Sequence, residues 1–174
     1  MFHIRSQRNA VWKYGSYALL MLGLFLLQSS RGTGLRLWGG AWNMLPFFVA
    51  SAALLEGPYV GGSFGFACGL LLAVNTTVLE GLSALLLTVF GVLFGLFGAY
   101  YLRPVLLSAL TGGLVCMGTQ AVLRYLFLEM LVYGAHITMA LKQFAGELVL
   151  AVLPGVLIWL VMEAIHRRFT EENT

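Results

Sequence analysis

Aspartate is missing altogether from the 174 residues, and only 10% of the chain is charged. Soluble domains usually carry about 25% charged residues, so this chain has too few to hydrate a surface of its own. Cysteine is scarce: Cys68 and Cys116 both fall inside apolar runs and read as small packing residues, not as a disulfide. His3, His136 and His166 are far apart, and no H-x-x-x-H, C-x-x-C or H-E-x-x-H spacing occurs. A metal site is therefore not expected. The glycine-rich "GGSFG" at 61–65 lies within an apolar run with no lysine after it, so it does not read as a phosphate-cradling loop. Catalytic residues and cofactors are not expected on these grounds. Proline is rare too, and Pro46, Pro58, Pro104 and Pro154 read as helix starts or turns.

What is present is apolar. Hydrophobic residues make up 60% of the sequence, with a mean hydropathy of +0.89. They fall into six segments, roughly 11–28, 43–55, 60–75, 82–101, 105–127 and 146–163. A helix needs about 20 apolar residues to cross the hydrocarbon core. The segments are too long, and lack the alternation, for barrel strands. The expectation is an all-α integral membrane protein with about six transmembrane helices, a single polytopic domain over residues 1–174. The second and third segments are short for full spans, which tilt, local thinning or a re-entrant path would accommodate.

Six spans put both tails on one side. Arg5, Arg8, Lys13, Arg103, Arg167 and Arg168 then face Arg31, Arg36, Arg124 and Lys142, and the excess places both termini in the cytoplasm. The basic start resembles a signal-peptide n-region, but no small-residue cleavage site follows, so it reads as a retained first helix. Trp12, Trp38, Trp42 and Trp159 lie near span ends, as interfacial tryptophans do. The net charge of +3 and pI near 9.1 fit anionic headgroups, and no nucleic-acid partner is expected. Asn75-Thr76-Thr77 matches a glycosylation sequon on the outer side, relevant only in a eukaryotic secretory pathway.

Glycine is abundant and patterned. Gly57, Gly61, Gly65 and Gly69 recur at intervals of four, although each glycine costs a helix interior about 1 kcal/mol relative to alanine. In lipid, helices associate through close backbone approach, which such a ridge permits. Gly91 and Gly95, extended by Gly98 and Ala99, repeat the device in the fourth segment. Gly57, Gly61, Gly65, Gly69, Gly91 and Gly95 are the expected helix-packing surface, either between the third and fourth spans or as a groove for a partner's helix. Glu56, Glu80, Glu129 and Glu163 map to span ends and read as interfacial anchors. Glu147 opens the last span, where a carboxylate favours a helix N-terminus. Gly112, Cys116, Gln120 and Arg124 form a polar line along the fifth span. Arg124 either snorkels to the outer interface or pairs with Glu80, Glu129 or a partner's carboxylate.

"NMLPFFVASAALLEGPYVGGSFGFACGLL" (43–71) followed by "EGLSALLLTVFGVLFGLFGAYYLRPVLLSAL" (80–110) resembles the rod shape-determining protein MreD family. The proline-started second span, the glycine-spaced segment from Gly61 to Leu71, Gly81 and the basic "IHRRF" ending (165–169) carry the resemblance. Ala73, with Asn75 nearby, stands about where that family commonly has an acidic residue. The resemblance implies a non-enzymatic scaffold in the bacterial plasma membrane. Its partners would be MreC and, through it, MreB and RodA with its penicillin-binding transpeptidase, supporting peptidoglycan insertion during elongation. The family resembles, in fold, the substrate-binding subunits of energy-coupling-factor vitamin transporters. That alternative needs a polar, aromatic pocket, for which Trp38, Trp42, Asn43, Tyr133, His136 and Gln143 are the candidates.

Overall fold

Between helices in lipid there is no water to exclude, so association depends on how closely backbones and side chains fit. The computed structural model describes residues 2–29, 43–75, 80–101, 104–124 and 137–171. They form six helices, α1 (Phe2–Ser29), α2 (Leu45–Glu56), α3 (Pro58–Asn75), α4 (Glu80–Tyr100), α5 (Leu106–Arg124) and α6 (Ile137–Glu171). No strand occurs among the described residues. The regular structure of the described residues is all helical. Among the described residues three stretches are long and apolar enough to cross a membrane, Gly81–Tyr100, Leu106–Leu123 and Ala145–Arg168, while α2 and α3 are shorter apolar helices.

The shortest helix occupies the centre. Leu45 to Leu54 of α2 are buried without a break, as expected of a helix that is apolar all round. Its 12 residues extend only about 18 Å at 1.5 Å per residue. Pro46 pre-sets its first turn. Gly57 ends it at φ 89° and ψ −174°, a conformation essentially restricted to glycine. Pro58 then starts α3 immediately, so α2 and α3 are joined by one residue.

The other helices pack on α2. The Phe47 ring fills the space beside Gly113 of α5 and Gly155 of α6, where a Cβ on Gly155 would come within 2.7 Å of it. Tyr17 and Met21 of α1 complete the core with Phe48, Val49, Cys68, Leu87, Cys116 and Met162. Large apolar side chains also point outward, among them Leu19, Leu93, Leu107, Val115, Leu153 and Leu157. An exterior this apolar is suited to lipid.

Two expectations are corrected in α6. The helix is 35 residues long and contains Pro154, which is buried within it and starts no helix. Proline removes one backbone bond, a loss tolerated where neighbouring helices pack on the site. Trp159 is 2% exposed and packs with Leu54 and Ala109, so it is a core residue and not an interfacial anchor. Trp12, at 65% exposure, does face outward.

Candidate functional site

The glycine seam joins α3 to α4. A Cβ on Gly61 would lie 2.6 Å from the Ala53 Cβ of α2 and 2.8 Å from the Gly91 carbonyl oxygen of α4. One on Gly65 would meet the Leu87 backbone, and one on Gly69 the backbone of Ala84. Seen from α4, Gly91 abuts Gly61, and a Cβ on Gly95 would lie 2.6 Å from the Pro58 Cα. Residue numbers rise in one helix as they fall in the other, so the pair is antiparallel and in register along the seam. Gly61, Gly65, Gly69, Gly91 and Gly95 are buried in this contact, so the ridge is filled by the chain itself. Gly57 joins the seam only through its backbone, its carbonyl carbon lying 2.9 Å from where a Cβ on Gly95 would sit. It lies outside α3, meets nothing within 4 Å of its Cβ position, and serves the turn through its positive φ. The expected four-glycine ridge therefore has three members on α3.

At the end of the bundle where α1 begins and α6 ends, polar side chains converge on Glu56, the last residue of α2. Its Oε1 accepts from Lys13 Nζ at 2.6 Å, His166 Nδ1 at 2.7 Å and Tyr17 Oη at 3.0 Å. A carboxylate can only accept, so Nδ1 of His166 carries the proton. The Glu56 side chain is 8% exposed and Lys13 14%, which makes this a largely desolvated pair with two further donors. Tyr17 is fully buried, edge-on to both Tyr14 and Phe64, and Phe64 is edge-on to Phe48. Glu56 is thus no interfacial anchor facing water. It ties α1 and α6 to the end of α2.

At the opposite end, Gln28 of α1 accepts the Met44 N–H at 3.2 Å, occupying a donor at the start of α2. Asn43 Nδ2 donates to Gln120 Oε1 of α5 at 3.2 Å. Gln120 and Cys116 therefore turn inward toward α2, not outward to a partner. Glu147 also differs from expectation. It lies ten residues inside α6 and is 6% exposed, because the helix begins at Ile137 and not near residue 146.

Glu163 pairs with Arg167 one turn away at 2.6 Å on an exposed surface. The side chains of Glu80 and Arg124 and the whole of Glu129 lie outside the described residues, as do Trp38, Trp42, Tyr133, His136 and the Gln143 side chain. Gly61 to Gly65 match the letters of the G-x-S-x-G nucleophile elbow. That motif requires a strand-to-helix turn, whereas here it is inside α3 and Ser63 Oγ donates to the Val60 carbonyl. Cys68 and Cys116 are free and buried. Among the described residues no cluster of His, Cys or Glu could hold a metal ion.

Sequence reasoning missed the Lys13–Tyr17–Glu56–His166 cluster. Its one visible trace was that Lys13, Glu56 and His166 all fall at same-side ends when six segments alternate in direction. Comparison of the chain with protein-family models, curated proteins and solved structures gives no match.

Proposed function

We propose that the chain is a non-enzymatic membrane scaffold of the MreD type, holding MreC and, through it, MreB and RodA with its transpeptidase during cell elongation. In this reading all six helices cross the bacterial plasma membrane and both termini are cytoplasmic. The observation that carries it is how the polar groups are used. Glu56, Lys13, Tyr17 and His166 engage one another, Asn43 engages Gln120, and the glycine seam is filled by α4. The described chain offers apolar helix faces to its surroundings, the kind of surface on which other membrane helices pack. Burial of α2 on every side also explains how so short a helix belongs in the bundle. The resemblance over residues 43–110 supplies the partners' names.

One observation favours the vitamin-transporter reading. Asn43 Oδ1 and Gln120 Nε2 are buried with no hydrogen-bond partner among the described residues, and a polar ligand at that end could use them. The two readings separate by experiment. Depletion in a rod-shaped host should round the cells and leave vitamin uptake unchanged, and an MreC-like protein should copurify with the chain. Saturable, tight vitamin binding to the purified protein, lost in an Asn43→Ala/Gln120→Ala variant, would reject the scaffold.

A further inference from the structure

A cleft of about 400 Å³ opens between α1 and α6, lined by Ser16, Leu19, Leu20, Ala164, Ile165 and Arg168. Because α1 begins at the end of the bundle where α6 finishes, the two helices run in opposite directions here. Ser16 and Arg168 therefore mark the outer end of the cleft, and Leu19, Leu20, Ala164 and Ile165 its deeper walls. Arg168 is the last residue of the apolar stretch Ala145–Arg168, which sets it at the boundary between hydrocarbon and headgroups.

The charges at this end are unevenly matched. Four basic side chains are described there, and three have a carboxylate: Lys13 and His166 share Glu56, and Arg167 has Glu163. Arg168 is exposed and has no carboxylate partner among the described residues. Among the described side chains at this end, the cation without a carboxylate is thus also the one that lines the cleft. An apolar slot closed at the interface by a guanidinium that has no carboxylate among the described residues matches an anionic phospholipid, with acyl chain along the leucines and phosphate at Arg168. Guanidinium is well suited to that phosphate because its donors form a fork, and basic pockets between helices at a membrane face are suited to anionic headgroups.

We propose that the α1–α6 cleft is a site for one anionic phospholipid, held by Arg168 at its headgroup. This is independent of the scaffold reading, since it concerns the lipid-facing side of two helices and invokes no protein partner. The test reconstitutes the full chain in nanodiscs of equal phosphatidylglycerol and phosphatidylcholine and counts retained lipids by native mass spectrometry. Phosphatidylglycerol should be retained about fivefold over phosphatidylcholine, the weight of one cation at an anionic surface. Arg168→Gln should bring that ratio toward one. Ala164→Trp, at an exposed position, should fill the slot and lower the lipid retained. Arg167→Gln removes the same charge one residue away and should change neither. The proposal is overturned if the native chain shows no preference, if Arg167→Gln acts like Arg168→Gln, or if Ala164→Trp retains the full complement. A dimer seated on this face in place of lipid would overturn it as well.

Discussion

Glu56 shows how little room a carboxylate has at this depth. Its Oε1 accepts from three side chains on two other helices, and the group is nearly withdrawn from water. Removing one partner of a buried pair leaves the others uncompensated, which costs about 3–5 kcal/mol. Glu56→Ala should therefore lower stability in detergent by roughly that amount, read from thermal or denaturant unfolding. Glu56→Gln should lose less, since the amide oxygen still accepts. Glu163→Ala removes a pair that is mostly exposed on one side, worth about 0.5 kcal/mol at most. Equal losses for Glu56→Ala and Glu163→Ala would show that the cluster does not fasten the terminal helices. At this scale the sequence was a poor guide. Glu56 and Glu163 both sit at span ends in the one-dimensional reading, and only the arrival of Lys13 and His166 from distant segments separates them.

Among the elements, glycine has three different physical roles, and substitution should sort them. Gly65 faces the Leu87 backbone, so Gly65→Leu overpacks the α3–α4 seam and should cost about 1–3 kcal/mol or more. Gly57 has open space but a φ of 89°, so Gly57→Ala should cost about 1–3 kcal/mol through backbone strain alone. Gly81, in α4, has nothing within 4 Å and no unusual φ. Gly81→Ala should be neutral or stabilising by up to about 1 kcal/mol. Unfolding midpoints of the three variants test the assignment, and a Gly81→Ala loss as large as that of Gly65→Leu would refute it. Phe47 gives the complementary case. Truncation to alanine empties the space between Gly113 and Gly155 and should cost about 3–5 kcal/mol, with yield of folded protein as a second readout. Four-residue spacing marks α3 and α4 as helices built for close contact and leaves the partner open. It could not distinguish Gly57, whose place in the same numerical series ends at the turn.

For the molecule as a whole, the Glu56 cluster constrains topology independently of charge counting. Lys13 of α1 and His166 of α6 reach the same oxygen, so the start of the first helix and the finish of the last share one end of the bundle. Single cysteines at Arg5 and Thr170, in a chain lacking Cys68 and Cys116, should therefore behave alike toward an impermeant thiol reagent in intact cells. The charge asymmetry adds that both should be protected, while cysteines at Gly34 and Ala135 react. Labelling of one tail only would contradict the packing of α1 and α6. Labelling of both tails would keep the packing and reverse the orientation.

The sequence by itself determined the helical character, the place of most helices, their apolar composition and the close-packing glycine ridges of α3 and α4. These follow from local properties: long uncharged runs, glycine at fixed helical spacing, and proline at the starts of α2 and α3. The fold decided that these ridges meet each other. Tertiary structure alone decided that α2 is enclosed, that Trp159 and Glu147 point inward, and that Pro154 lies within a helix. It also decided that Gln120 meets Asn43 and that Glu56 gathers its three donors. Hydropathy cannot separate a residue facing lipid from one facing another helix, because both surroundings are apolar. Which polar groups meet depends on how six helices rotate about their axes and slide past one another, and no local spacing encodes that.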